Sequence, residues 1–310
     1  MGRSRRSRSE PVDGLLLLNK PAGVTSNQAL QRVKRLLNAR KAGHTGSLDP
    51  AATGMLPLCF GEATKVCAFL LDADKTYRVT AKLGTSTDTG DATGSVVDSA
   101  EVPQMTADEW NKVLQSFRGE SLQVPPMYSA LKKDGKRLYE LARKGETVER
   151  APRPIRIDAI DLLEAAGSRL VFRVRCSKGT YIRSLVEDIA RAAGTVAHTA
   201  RLHRETVADF RADEMVELSA VEETAAQGSL PLRERLMPAD RALTGLPEVC
   251  LDGARAERFR GGQPVPADEP ECKGLARVYG EEQDFLGVGE LCGDGTVAPR
   301  RVFGRRGGNP

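Results

Sequence analysis

Hydrophobic and polar positions along the chain fall into patterns that predict most of its elements. Leu15–Asn19 is a short apolar run ended by the turn Lys20-Pro21-Ala22-Gly23, the signature of a buried strand. Thr25 and Gln28 then stand three apart, as a capping box requires, ahead of Leu30, Val33, Leu36 and Leu37 on one helical face. A Gly- and Pro-rich stretch from Gly43 to Pro57 reads as a loop, followed by a short helix through Val66, Phe69 and Leu70. Lys75–Leu83 alternates: Tyr77, Val79, Ala81 and Leu83 share one face, and Arg78, Thr80 and Lys82 the other, as in a half-buried strand.

Thr106 and Glu109 form a second capping box before the stripe Trp110, Val113, Leu114 and Phe117. Ser121 to Arg153 is polar, basic and turn-rich, so it is expected to project from the core. Strands are predicted near Ile155–Leu163 and over Leu170–Cys176. The turn Ser177-Lys178-Gly179 leads into a helix burying Ile182, Leu185, Val186, Ile189 and Ala193, stopped by Gly194. Ser219 and Glu222 are expected to open another helix. Beyond Leu243 short apolar runs separated by Gly, Pro and Asp-Gly turns indicate a small β-rich module. The fold class that results is α+β, a large mixed sheet followed by a barrel-like appendage. No internal repeat is present.

Bulk properties add little. A chain of 310 residues accommodates two domains, and its formal net charge is only +4. The distribution says more: Arg3, Arg5, Arg6 and Arg8 form a basic arm without apolar periodicity, expected to be disordered. Arg300, Arg301, Arg305 and Arg306 form a basic tail, and Lys132 to Arg156 is basic as well. These local excesses suit a polyanion, or else a solvated charged surface. No run approaches the ~18 apolar residues of a membrane helix, and the N-terminus leads into no export-type apolar segment. The six cysteines lack C-x-x-C spacing, and reduced thiols are expected. His44, His198 and His203 have no metal-ligand spacing. Phosphate-loop, nucleophile-elbow and EF-hand motifs are missing, and Gly287-Val288-Gly289 is a weak dinucleotide signal. No metal or cofactor is expected.

The remaining chemistry lies in Gly43-His44-Thr45-Gly46-Ser47-Leu48-Asp49-Pro50-Ala51-Ala52-Thr53-Gly54-Met55-Leu56-Pro57. Glycines and prolines fix an irregular path, and the proline holds Asp49 extended. A carboxylate on a rigid loop is how a nucleophile or charge stabiliser is presented. An Asp-Pro pair that merely caps a turn fits the same residues.

This segment resembles the catalytic motif of the bacterial tRNA pseudouridine synthase B (TruB) family. LLLLNKPAGVTSNQAL, KTYRVTAKLGTSTDTGDATG, VPPMYSALKKDGKRLYELARKG and CSKGTYIRSLVEDIA extend the resemblance in the family's order, and RVYGEEQDFLGVGELCGDGTVAPRRV is similar to its RNA-binding PUA module. The resemblance implies a pseudouridine synthase fold with a mainly antiparallel sheet. It also implies a basic arm at 1–11, a catalytic domain at 12–243 with an RNA-gripping insertion about 121–153, and a PUA-like module at 244–310. It implies a cytoplasmic monomer that isomerises uridine 55 of the tRNA T-arm without guide RNA, protein partner or membrane. Asp49 corresponds to the catalytic carboxylate. His44 corresponds to a contact with the extruded nucleotide, Tyr77 to a base-stacking residue, and Tyr181 to a pocket wall. Arg183 matches the partner of the catalytic Asp, Leu202 an apolar contact to the base, and Lys20 a loop support or substrate contact. The pair His203-Arg204 departs from the family's two arginines. Rival readings are a non-catalytic tRNA-binding protein of the same fold, a guide-RNA-dependent relative, and a glycosidase. The last wants a second carboxylate, and the motif holds none.

Overall fold

The computed structural model describes residues 9–133, 135–268 and 273–304. The arginines of the arm, Arg305, Arg306 and Cys272 lie outside them. Glu10, within the span expected to be disordered, exchanges main-chain bonds with Asn38 and Arg40 and pairs its carboxylate with Arg233.

The main sheet orders its strands as Val216–Glu217, Gly14–Lys20, Thr53–Phe60, Ala197–Val207, Lys75–Leu83, Arg169–Cys176, Arg153–Ala166 and Gly119–Gln123, with Ala42–His44 pairing on Thr53–Phe60. Two pairings are parallel, Gly14–Lys20 with Val216–Glu217 and Thr53–Phe60 with Ala197–Val207; the others are antiparallel. Alternation in Lys75–Leu83 is as expected, with Tyr77, Val79, Ala81 and Leu83 buried. Helices Ala107–Gln115 and Ile182–Ala192 cover one half of the sheet, burying Trp110, Leu114, Ile182, Leu185, Val186 and Ile189. Helices Ser26–Leu36 and Leu218–Ala226 cover the other, with Leu30, Val33 and Val221 inward. The capping boxes at Thr25/Gln28 and Thr106/Glu109 both form.

A second sheet orders Glu248–Cys250, Lys273–Tyr279, Phe285–Cys292, Thr296–Val302 and Val265–Pro266 into a curled half-barrel around Phe259 and Val278. It is docked on the main sheet. Val288 and Phe303 share a core with Leu15, Leu17 and Met55, Tyr279 donates to the Asp240 carboxylate at 2.8 Å, and Lys65 donates to the Val302 carbonyl at 2.7 Å.

Four elements differ from expectation. Thr53–Phe60 is a central strand inside the span read as loop, because Gly54 and Pro57 masked its apolar run. Ala197–Val207 is central as well, yet its buried positions include Thr199 and Arg204, so no apolar alternation marks it. The piece expected to project from Ser121 first completes the edge strand Gly119–Gln123 against Arg153–Ala166. The helix sought at Ser219 begins at Leu218, with Glu217 at its cap and no side-chain cap bond.

Candidate active site

The loop from Thr45 to Ala52 joins the short strand Ala42–His44 to the central strand Thr53–Phe60. Its conformation follows from residues without freedom to do otherwise. Gly46 sits at φ +64° and Gly54 at φ +102°, where a side chain is strained. Ser26 fixes the middle of the loop, its hydroxyl accepting from the Leu48 amide at 2.8 Å. Lys20, wholly buried, donates to the carbonyls of Pro21 and Val24 at 2.8 Å and of Pro50 at 3.3 Å. Burial drops its pKa from 10.5 to about 8, with the Asp49 charge acting in the opposite direction. This geometry fits loop support and leaves no surface for substrate contact.

Asp49 meets the N-terminal turn of helix Ile182–Ala192. Arg183 Nε lies 3.0 Å from the Asp49 carboxylate, while its other nitrogens donate to the carbonyls of Thr89 at 2.7 Å and Tyr128 at 2.6 Å. Every arm of the fork is therefore committed, which fixes the direction of the pair. The two partners differ in exposure: the Arg183 side chain is 8% exposed and that of Asp49 45%. The guanidinium is structural backing, and the carboxylate opens to the cleft. Burial raises the Asp49 pKa above its ordinary 3.8, opposed mainly by the Arg183 charge.

The cleft holds about 820 Å³, ample for a nucleoside. Asp49, Tyr77, Tyr181, Arg183 and Leu202 line it together, so five of the seven residues singled out in the sequence converge from four separate segments. Burial raises the pKa of both tyrosines, keeping them neutral. Gln123, buried, holds Tyr181 by its peptide: its amide nitrogen donates to the Tyr181 carbonyl at 3.1 Å and its oxygen accepts from the Tyr181 amide at 2.8 Å. His44 does not line the cleft; its Nδ1 is buried without a hydrogen-bond partner, and burial lowers its pKa.

Several contributors were not singled out in the sequence. Asp91 brings a second carboxylate to the cleft, and its charge raises the Asp49 pKa. Its Oδ1 accepts from the Thr93 amide at 2.9 Å and from the Thr89 hydroxyl at 2.9 Å, and the dense run of Thr, Asp and Gly at 85–94 was the available signal. Lys75 and Arg204 also reach the wall. Lys75 donates to the carbonyls of Leu70, Leu71 and Ala73, the free end of helix Cys67–Asp72, and burial lowers its pKa to about 8. Among the described residues no group of side chains could hold a metal ion. Cys59, Cys67, Cys176, Cys250 and Cys292 are free thiols.

A carboxylate backed by an arginine in a tyrosine-walled cleft suits rearrangement at a sugar–base bond. A family model described as "TruB family pseudouridylate synthase (N terminal domain)" matches residues 34–182, and relatives 48% identical over 97% of this chain make it a pseudouridine synthase by class. Models described as "tRNA pseudouridylate synthase B C-terminal domain" and "Pseudouridine synthase II TruB, C-terminal" match 183–244 and 247–303. The chain is 48% identical over 310 residues to tRNA pseudouridine synthase B of Tolumonas auensis, covering 97% of this chain and 95% of that protein. To the protein of the same name from Dechloromonas aromatica it is 52% identical over 293 residues, covering 94% and 95%. It belongs to the TruB family. Among solved structures, a crystal structure of a Cbf5-Nop10-Gar1 complex aligns with a TM-score of 0.74 at 27% identity, over 94% of this chain and 85% of that one. A structure of an H/ACA RNP bound to a substrate RNA containing 2'-deoxyuridine aligns with a TM-score of 0.73 at 25% identity, over 96% and 87%.

Proposed function

We propose that this chain isomerises uridine 55 in the T-loop of tRNA to pseudouridine, with Asp49 as the catalytic carboxylate. The observation that carries this reading is the Asp49–Arg183 pair at 3.0 Å, aimed into a cleft walled by Tyr77, Tyr181 and Leu202. The reaction breaks the bond from N1 of uracil to C1′, turns the base, and forms a bond from C5 to C1′. The C5 proton leaves and N1 gains one, so nothing is oxidised or hydrolysed, and no cofactor is required. An ionised Asp49 serves by attack at C1′, by attack at C6, or by assisting elimination from the sugar.

A base paired or stacked inside the tRNA elbow reaches this cleft only when flipped outward. Tyr77 and Leu202 offer it surfaces to rest on. Tyr139, on the projecting segment and at the cleft rim, carries the guanidinium of Arg143 at 5.4 Å and that of Arg137 at 5.9 Å from its ring centre. Such cation–aromatic platforms suit splayed RNA. We assign residues 12–243 to catalysis, the insertion within about 121–153 to gripping RNA, and 244–310 to a PUA-like RNA-binding module. The enzyme works in the cytoplasm as a monomer without guide RNA. No helix among the described residues is long and apolar enough to cross a membrane.

The substrate assignment is tested by mapping pseudouridine in unmodified tRNA transcripts and in isolated T-arm hairpins. Product at position 55 alone supports it, whereas product at another uridine, or none until a guide RNA is added, overturns it.

A further inference from the structure

Arg204 is the largest of the fully buried side chains among the described residues, 1% exposed. A buried guanidinium is ordinarily matched by a carboxylate, because desolvating the charge is costly. Here the acceptors are main-chain oxygens: Nε donates to the Met55 carbonyl at 2.7 Å and Nη2 to the Gly46 carbonyl at 2.7 Å. These two residues bracket the loop that presents Asp49, so a single planar fork closes the loop at both ends. An ammonium, a point charge on a flexible stem, lacks the planar spacing of donors that spans these two acceptors at once.

The backbone of Arg204 is placed with equal economy. It pairs with Tyr77 across the antiparallel neighbour and with Gly54 across the parallel one. A side-chain carbon on Gly54 would lie 2.2 Å from the Arg204 carbonyl oxygen, so the glycine is what lets the strands approach. Burial raises the Tyr77 pKa, and the Arg204 charge acts in the opposite direction. One residue thus touches the Asp49 loop and the strand that carries the Tyr77 ring.

We infer that Arg204 is a positioning residue for the isomerisation, fixing the separation between the Asp49 carboxylate and the Tyr77 ring so that the sugar and the base of one flipped nucleotide meet both. This rests on Asp49 being the catalytic carboxylate. Misplacement of a reacting group by about 1 Å costs on the order of 10²-fold in rate.

The test is single-turnover pseudouridine formation with saturating enzyme and unmodified tRNA, for Arg204→Lys, Arg204→Gln and, alongside them, Asp49→Asn. Arg204→Lys is expected to bind tRNA within about threefold of the parent while its rate constant falls on the order of 10²-fold, with full product amplitude. Arg204→Gln falls at least as far. A purely structural arginine would lower the fraction of enzyme competent to bind tRNA and leave the rate constant at saturating enzyme unchanged. That result overturns the inference, as does a rate for Arg204→Lys within about threefold of the parent, or failure of both variants to fold. Activity retained by Asp49→Asn would instead overturn the catalytic reading itself.

Discussion

Two opposing influences act on the carboxylate of Asp49. Burial pushes its pKa up, and the Arg183 guanidinium at 3.0 Å restrains that rise. With Asp49 as the proposed catalytic carboxylate the ionised form is the active one, so the rate is expected to rise with pH through this pKa and to be lost below it. The acid limb of the single-turnover rate is therefore expected above the ordinary Asp value of 3.8. Arg183→Met removes the restraining charge, so the limb moves to higher pH. A limb that stays in place, or moves to lower pH, contradicts the pairing. Legibility in the sequence was uneven at this scale. Asp49, Tyr77, Tyr181 and Arg183 stood in motif blocks and meet Leu202 in the cleft. Asp91 lies in the marked run at 85–94 and Gln123 in no motif, but the target of each is remote in sequence, reached through the field at Asp49 or the peptide of Tyr181. No local pattern encodes such an encounter.

Among the secondary-structure elements, the same distinction separates the legible from the hidden. Thr25 and Thr106 cap helices through neighbours three residues away, and strand Lys75–Leu83 buries every second side chain, so local spacing sufficed. Thr53–Phe60 contains a glycine and a proline, which give it the sequence pattern of a loop, although it lies at the centre of the sheet. Gly54 is required there by its neighbour: φ is +102°, and an added carbon would meet the Arg204 carbonyl oxygen at 2.2 Å and its nitrogen at 2.6 Å. Gly54→Ala is expected to cost roughly 3 kcal/mol or more in urea unfolding, as strain and overlap add. Gly23, at φ +84° with no atom within 4 Å of an added carbon, isolates the conformational part. Gly23→Ala should cost only about 1–2 kcal/mol. Equal losses from the two would mean that the close strand approach is not a constraint.

For the molecule as a whole, the small net charge hides a polarised arrangement. The projecting segment carries Arg137, Arg143 and Tyr139 beside the cleft, and the C-terminal half-barrel packs on the main sheet through Val288 and Phe303. Binding of tRNA should weaken steeply with salt, as phosphate neutralisation releases counterions. Arg143→Ala should lower affinity and reduce the logarithmic salt slope by about one, with the rate at saturating tRNA unchanged. A flat salt response in filter binding, or a loss confined to the rate, would contradict an RNA-gripping role.

The central claim, that Asp49 carries the chemistry in a tRNA pseudouridine synthase, has a direct measurement: pseudouridine formed in unmodified tRNA transcript by the parent chain and by Asp49→Asn, with tRNA affinity measured for both. The predicted result is site-specific product from the parent, a rate reduced by at least about 10³-fold in the variant, and tRNA binding retained by both. Equal product from the two would make Asp49 a turn residue and contradict the account.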